Sequence, residues 1–147
     1  MRLCRQLAAL PQGARRLTHP TGRPMQCPKC SSPMERIDHL AAHAQRCTQC
    51  RGLWFALGDY RLLKDAADII DSGDAAAGER YNRVERIKCP SCVDSQLIRM
   101  VDPQQPHIWF ESCKFCFGRF YDAGEFRDYA EHTLLEFFQD LDAPARD

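Results

Sequence analysis

The chain has 147 residues, of which 44% are apolar and 9 are cysteine. This length allows one ordinary domain or two very small ones. No stretch approaches the roughly 20 apolar residues that a membrane-spanning helix needs, and no secretory signal is recognisable. We therefore expect a soluble, cytoplasmic protein.

The formal charge of zero hides an uneven distribution. Residues 1–24 carry five arginines and no acid, which leaves 15 basic and 20 acidic residues, a charge of −5, in residues 25–147. We expect residues 1–24 to form a basic tail that is disordered or weakly helical, or an extension upstream of a native start at Met25. An arginine-rich organelle transit peptide is the alternative.

One pattern occurs in both halves of the chain. Residues 50–60 (CRGLWFALGDY) and 116–126 (CFGRFYDAGEF) share a cysteine, a glycine two positions later, two adjacent aromatics and a Gly-acid-aromatic ending. The recurrence predicts two copies of one structural unit. We interpret the first glycine of each copy, Gly52 or Gly118, as the position where the chain turns away from a metal site.

Each copy also has the cysteine spacing of a zinc site. The spacings are C-x2-C-x16-C-x2-C and C-x2-C-x20-C-x2-C, and two close pairs of thiolates can form the tetrahedron that Zn²⁺ prefers. We predict two Zn²⁺ ions, one per copy. The predicted ligands are Cys27, Cys30, Cys47 and Cys50 in the first copy and Cys89, Cys92, Cys113 and Cys116 in the second.

Disulfides and thiol redox chemistry are the alternatives to zinc. Disulfides are typical of secreted chains, and this sequence has no secretory signal. A redox C-x-x-C motif usually occurs once beside a strand and helix pattern, whereas four such pairs occur here as two matched couples.

A β-hairpin is predicted between the cysteine pairs of each copy. In the second copy the strands are predicted at residues 97–101 and 108–112, and in the first at residues 34–40 and 44–47. Two cysteine turns joined by a hairpin make a zinc ribbon. A fold this small cannot bury enough apolar surface, so metal binding must supply folding free energy.

An α-helix is predicted after the second ribbon. Asp122 and Glu125 fit a variant of the capping box, with Asp122 as the N-cap and Glu125 at position N3. The apolar residues that follow are spaced to lie on one helix face. That face comprises Phe126, Tyr129, Ala130, Leu134, Phe137, Phe138 and Leu141.

The first copy has Ala56 at the cap position, so its helix is predicted to begin less firmly near residues 58–59. Its apolar face comprises Leu63, Ala66, Ala67 and Ile70. The predicted fold is therefore a small, metal-stabilised α+β protein of two tandem zinc ribbons, each followed by a helix, the C-terminal helix being longer. The predicted units are a ribbon with helix at 25–70, a linker at 71–86, a ribbon with helix at 87–142, and a tail at 143–147.

The C-P-x-C pair, the hairpin and the C-x-x-C-x-G run with its aromatics resemble the transcription factor IIB-type zinc-finger domain. The resemblance covers residues 25 to about 66 and 87 to about 130, and it implies zinc ribbons with the eight cysteines as ligands. This sequence departs from the family pattern at Ala56, at Arg51 and Phe117 before the glycines, and at Phe120, which replaces tryptophan. The family name implies transcription, but a shared ribbon does not establish that activity.

The sequence indicates a protein that is not an enzyme. A closed four-cysteine site has no coordination position for a substrate, and no other group of side chains forms a recognisable active site. The main hypothesis is an interaction or regulatory module whose C-terminal helix binds a protein partner or a second copy. The candidate partner-binding residues are Phe126, Tyr129, Leu134, Phe137 and Phe138. An alternative of nearly equal weight is that this face packs across both ribbons as their shared core.

A transcription-associated nucleic-acid-binding protein is the second hypothesis. The charge of −5 in residues 25–147, with about −2 more for each zinc bound by four thiolates, disfavours phosphate binding. The best basic cluster lies at residues 80–88 and is interrupted by acids. A zinc-handling or thiol-redox protein is the third hypothesis, and no small-molecule substrate is evident.

Overall fold

The computed structural model describes residues 23–131. Six strands form ribbon 1 and ribbon 2, three strands each. Ribbon 1 consists of β1 (Met34–His39), β2 (Ala42–Cys47) and β3 (Leu53–Phe55); ribbon 2 consists of β4 (Leu97–Val101), β5 (Trp109–Cys113) and β6 (Arg119–Tyr121). The helices are α1 (Asp59–Leu62), α2 (Ala67–Ile70), α3 (Ala75–Asn82) and α4 (125–131), with a 3-10 turn at Lys64–Ala66 between α1 and α2.

The two ribbons form one antiparallel sheet with the strand order β1-β2-β3-β6-β5-β4. They join where β3 pairs with β6, in the register Leu53↔Tyr121, Trp54↔Phe120 and Phe55↔Arg119. The prediction of a small α+β fold with two ribbons is confirmed. The sequence did not predict that the ribbons share a sheet, because pairing between the copies leaves no local pattern.

The first glycine of each repeated motif, Gly52 or Gly118, lies beneath an aromatic ring of the other copy. A Cβ added to Gly118 would lie 2.6 Å from Cη2 of Trp54, and one added to Gly52 would lie 3.0 Å from Cε1 of Phe120. The left-handed backbone falls one residue earlier, on Arg51 and Phe117. The interpretation of these glycines as turn residues was therefore wrong: they are small because the ring of the partner ribbon occupies the space.

One face of the sheet carries an apolar core shared by both ribbons and by the helices. The helix residues predicted to be buried after ribbon 1 are all buried: Leu63, Ala66, Ala67 and Ile70. From α4, Phe126 and Tyr129 are buried in the same core, and the Phe126 ring lies 4.5 Å from that of Phe55. Their assignment as partner-binding residues was therefore wrong, because the core of this chain already covers them.

The predicted capping box at the start of α4 was also wrong. The Asp122 carboxylate accepts from Lys29, and its second oxygen has no hydrogen-bond partner among residues 23–131. Burial is the main reason that the pKa of Glu125 is raised to about 7, and the nearby backbone of Trp109 opposes the rise. Gly124, at φ 90°, precedes the helix in the left-handed conformation that glycine adopts without strain.

Asp71, from the end of the other ribbon's helix, supplies the cap instead. Its two carboxylate oxygens accept from the backbone N–H groups of Gly124 at 2.9 Å and Arg127 at 3.0 Å. Asp71 is fully buried, and burial raises its pKa although these bonds act in the opposite direction. The start of α4 is thus held by a residue more than fifty positions away.

The predicted linker at 71–86 is an ordered part of the fold. It contains helix α3, which Asp74 caps by accepting from the backbone N–H of Ala76. Gly78 of α3 is buried, and a Cβ there would lie 3.0 Å from the carbonyl carbon of Ala123. Because glycine has no side chain, α3 can approach the backbone of Ala123, just before α4, this closely.

Some predictions fall on residues outside 23–131 and are not addressed by the structure. They are the basic N-terminal tail, the greater length of the C-terminal helix, the tail at 143–147, and the partner-binding role of Leu134, Phe137 and Phe138. Within residues 23–131, no helix combines the length and the apolar character needed to cross a membrane.

We predict that Gly118→Ala destabilises the zinc-loaded protein by about 1–3 kcal/mol, because the added methyl overlaps the Trp54 ring. Gly118 does not have a left-handed φ, so its own backbone conformation accepts alanine, although the added Cβ would also lie 3.0 Å from the backbone oxygen of Phe55. Urea unfolding at fixed free zinc measures the change. When Trp54 is first replaced by the smaller leucine, Gly118→Ala should lower the free energy of unfolding by less. An equal loss of stability with Trp54 and with Leu at this position would contradict the account.

Candidate metal centres

The structure brings the four predicted ligands of ribbon 1 together. Cys27 and Cys30 lie in the turn before β1, Cys47 ends β2, and Cys50 lies in the turn before β3. The Sγ atoms of Cys27 and Cys50 are 3.5 Å apart and those of Cys30 and Cys47 are 3.4 Å apart. All four sulfurs lie within 4.8 Å of one another.

Ribbon 2 contains a second cluster built in the same way. Cys89 and Cys92 precede β4, Cys113 ends β5, and Cys116 lies in the turn before β6. The four sulfurs again lie within 4.8 Å of one another, with 3.7 Å between those of Cys89 and Cys116. Within residues 23–131, no other group of three or more His, Cys, Asp or Glu side chains is placed to share a metal.

Both clusters fit a zinc ion. A tetrahedron with Zn–S bonds of about 2.3 Å has S–S edges of roughly 3.8 Å, which is close to the observed separations. A donor set of four sulfurs suits zinc or an iron–sulfur centre, whereas magnesium and calcium require oxygen. Bound zinc would cross-link the two cysteine turns of its ribbon, and the four cysteines would fill its coordination sphere.

Backbone N–H groups point at the sulfurs in both ribbons. In ribbon 1 the amides of Gln49 and Cys50 each lie 3.3 Å from Sγ of Cys47. In ribbon 2 the amide of Cys92 lies 3.3 Å from Sγ of Cys89, and that of Phe115 lies 3.5 Å from Sγ of Cys113. Donors in these positions favour the thiolate form that binds a metal.

The thiols within each cluster have divergent pKa values. A hydrogen bond from Cys27 is the main reason that the pKa of Cys50 is lowered to about 5, and the pKa of Cys27 is raised correspondingly. In ribbon 2, burial raises the pKa of Cys113, but the Ser95 hydroxyl and nearby backbone amides outweigh it and lower the value to about 6. Each cluster therefore offers a thiolate at neutral pH, as metal binding requires.

A buried cation connects the first cluster to ribbon 2. Lys29, between Cys27 and Cys30, has a fully buried side chain whose Nζ lies 2.8 Å from Glu111 and 2.9 Å from Asp122. It also donates to the backbone oxygen of Tyr81 at 3.2 Å. Both carboxylates come from ribbon 2, so the ion pairs tie the cysteine turn of one ribbon to the strands of the other.

Two cations and two carboxylates meet at this buried site, since Arg99 also reaches Glu111. Burial raises the pKa of Asp122 to about 6, and the neighbouring Lys29 opposes the rise. Arg99 lies 3.5 Å from Glu111 and also donates to the backbone and side-chain oxygens of Asn82. The sequence analysis did not predict this group of buried charges around Lys29. A lysine inside C-P-K-C has no local feature that distinguishes it from a lysine in a solvent-exposed turn.

A family model described as a transcription factor zinc-finger matches residues 26–66. The match covers ribbon 1 and the chain as far as the 3-10 turn, which is less than a third of the whole sequence. The second four-cysteine cluster lies outside it. No curated protein and no solved structure matches the chain.

We predict that Ser95→Ala weakens zinc binding at the second cluster by about tenfold, as is typical when a group that orients a ligand is lost. Ser95 is buried with its hydroxyl 3.3 Å from Sγ of Cys113, so its removal raises the pKa of that thiol. Chelator competition on the whole chain measures the affinities of both clusters. Ser32→Ala is the matched change in ribbon 1, because the backbone oxygen of Ser32 accepts from Cys27 as that of Ser95 accepts from Cys89. An equal loss at both clusters after Ser95→Ala would contradict the prediction.

Proposed function

We propose that each cluster binds one structural Zn²⁺ ion and that the protein is a non-enzymatic interaction or regulatory module. The eight clustered thiols are arranged as two closed sets of four, so the bound metals would have no position for water or substrate. The metals would contribute folding free energy, on the order of 10 kcal/mol per site.

The observation that supports an interaction role is an open apolar groove on the helix face of ribbon 2. We call it the ribbon-2 groove; the residues that line it include Leu57, Ile98, Met100, Phe110, Phe117 and Arg119. Its volume is 440 Å³, and four of its large apolar side chains are between 46% and 69% exposed. Contiguous exposed apolar surface of this kind is typical of a binding site.

The groove also carries positive charge. The guanidinium of Arg119 lies 4.1 Å from the ring centres of both Tyr60 and Phe110, so it forms part of the floor. Arg61 and Lys114 lie at its edge. An apolar groove with a cationic floor and rim suits a segment that combines apolar side chains with acids.

Nucleic-acid binding remains the second candidate, and one observation favours it. A separate groove of 630 Å³ runs between the first cysteine turns of the two ribbons, and its lining includes Arg23, Arg86 and Lys88 together with one acid, Glu85. Three cations beside one groove can contact phosphate. The net charge of −5 in residues 25–147 weighs against extensive phosphate binding.

A capture experiment with immobilised, zinc-loaded protein in native lysate discriminates between the two functions. The interaction role predicts a captured protein that is retained after nuclease treatment and lost with Met100→Asp, which replaces an apolar contact with an acid that repels an acidic partner segment. Leu40→Asp is the matched control, because Leu40 is 93% exposed at the turn between β1 and β2. The opposite outcome would contradict the interaction role and favour nucleic-acid binding. In that outcome, nuclease treatment and Arg86→Ala each abolish capture of the bound material, whereas Met100→Asp leaves it unchanged.

A further inference from the structure

The two outer strands of the sheet, β1 and β4, differ in the side chains along their free edges. In β1 the charged residues Glu35, Arg36 and Asp38 are exposed, and the Arg36 guanidinium lies 2.7 Å from the Asp38 carboxylate. Charges on an outer strand discourage it from pairing with a strand of another chain. The free edge of ribbon 1 is therefore protected.

β4, with the sequence LIRMV, is apolar on both faces of the sheet. Ile98 and Met100 are 50% and 46% exposed on the groove face, while Val101 and its cross-strand neighbour Trp109 are 37% and 43% exposed on the other face. The one charged residue of the strand, Arg99, lies 3.5 Å from a carboxylate of β5. A strand that is apolar on both faces is typical of the interior of a sheet.

The backbone bonds at the two ends of β4 show which residues face the free edge. The N–H of Leu97 donates to the oxygen of Ile87 at 2.8 Å, on the side away from β5, and the N–H of Asp102 donates to Ile108 at 3.0 Å, on the side of β5. The direction of these groups alternates along an antiparallel strand. The even-numbered residues of β4 therefore bond β5, and the odd-numbered residues direct their N–H and C=O groups outward.

Within residues 23–131, the free edge of β4 is paired only at its start. Lys88 forms an isolated bridge with Gln96, and Arg86 has a left-handed φ of 57°, which interrupts the extended backbone of this outer segment. Farther along, the N–H groups of Arg99 and Val101 have no hydrogen-bond partner in the described part of the chain. A strand laid along β4 would satisfy both groups.

We propose that β4 is a docking edge, to which an extended acidic segment of a partner protein adds as a seventh strand of the sheet. The partner side chains opposite Ile98 and Met100 would lie on the groove face and pack along the ribbon-2 groove. The inference rests on the proposed interaction role, and it adds the conformation and the charge of the segment that binds.

The charges beside β4 favour an acidic partner over a second copy of this chain. Among the described residues that line the ribbon-2 groove, the charged ones are Arg61, Lys114 and Arg119, and none is acidic. Antiparallel pairing of β4 with β4 of a second copy would place two such grooves side by side on one face of the joined sheet. An acidic segment with apolar residues at alternate positions would instead bring carboxylates to these cations.

Peptides selected from a phage-displayed random library on the full-length, zinc-loaded protein test the proposal. We expect the enriched peptides to have apolar residues at alternate positions and a net negative charge. Binding of a synthetic copy of one such peptide should slow amide exchange of Arg99 and Val101 at least tenfold, as measured by NMR. The Met100 amide bonds β5, so its exchange should be slow with and without the peptide.

Val101→Pro tests the backbone pairing directly. It removes one outward N–H and keeps the bonds to β5, because proline is tolerated where the N–H of an edge strand faces solvent. We expect roughly tenfold weaker binding of the peptide, with slow exchange at Met100 as evidence that the sheet is intact. Asp38→Pro is the matched change on the free edge of β1, since both residues lie four positions after the start of their strands, and it should leave binding unchanged.

Three results would overturn the proposal. The first is a selection that enriches no acidic peptide. The second is a peptide that leaves the exchange of Arg99 and Val101 unchanged and whose binding survives Val101→Pro. The third is slow exchange of both amides in the protein without peptide, because the edge would then already be paired.

These results are distinguishable from failure of the interaction role itself. A peptide whose binding is lost with Met100→Asp but survives Val101→Pro would keep the ribbon-2 groove as the binding site and remove only strand addition. The capture experiment in native lysate tests the interaction role independently of any selected peptide.

Discussion

Each ribbon supplies an aromatic ring that the other ribbon accommodates with a glycine. Trp54 of ribbon 1 lies over Gly118, and Phe120 of ribbon 2 lies over Gly52, and the two aromatic residues stand opposite each other in the register of β3 and β6. This reciprocal packing requires both copies of the motif to be present in the same sheet. A ribbon of this size has too little apolar surface to fold alone, and the exchange of rings gives each ribbon part of its core.

Polar side chains of ribbon 1 and its helix region also hold ribbon 2 and the helix that follows it. Lys29 from the first cysteine turn pairs with Glu111 and Asp122 of ribbon 2, and Asp71 caps the helix that follows ribbon 2. Removing one partner of such a buried pair leaves an uncompensated charge, which costs several kcal/mol. The metal clusters, the sheet and the helix face are therefore parts of one unit, and loss of either ribbon would expose charges buried by the other.

The sequence predicted the parts of this structure that depend on local patterns. Cysteine spacing predicted the composition of both clusters, and apolar periodicity predicted the buried face of Leu63, Ala66, Ala67 and Ile70. Contacts between the copies were not predictable in this way: the sequence suggested Asp122 as a helix cap, whereas Lys29 binds its carboxylate and Asp71 takes its place. Phe126 and Tyr129 were misassigned for the same reason, since an apolar helix face does not reveal whether its own chain covers it.

The central claim is that the two ribbons fold as one unit, and amide hydrogen exchange on the zinc-loaded chain tests it directly. The comparison is between the wild type and a Cys92→Ser, Cys116→Ser variant, which removes two ligands from the second cluster and none from the first. The account predicts faster exchange throughout β1–β3 of the variant, although ribbon 1 keeps all four of its own ligands. Unchanged exchange in β1–β3, with faster exchange confined to β4–β6, would show that the ribbons are independent and would contradict the account.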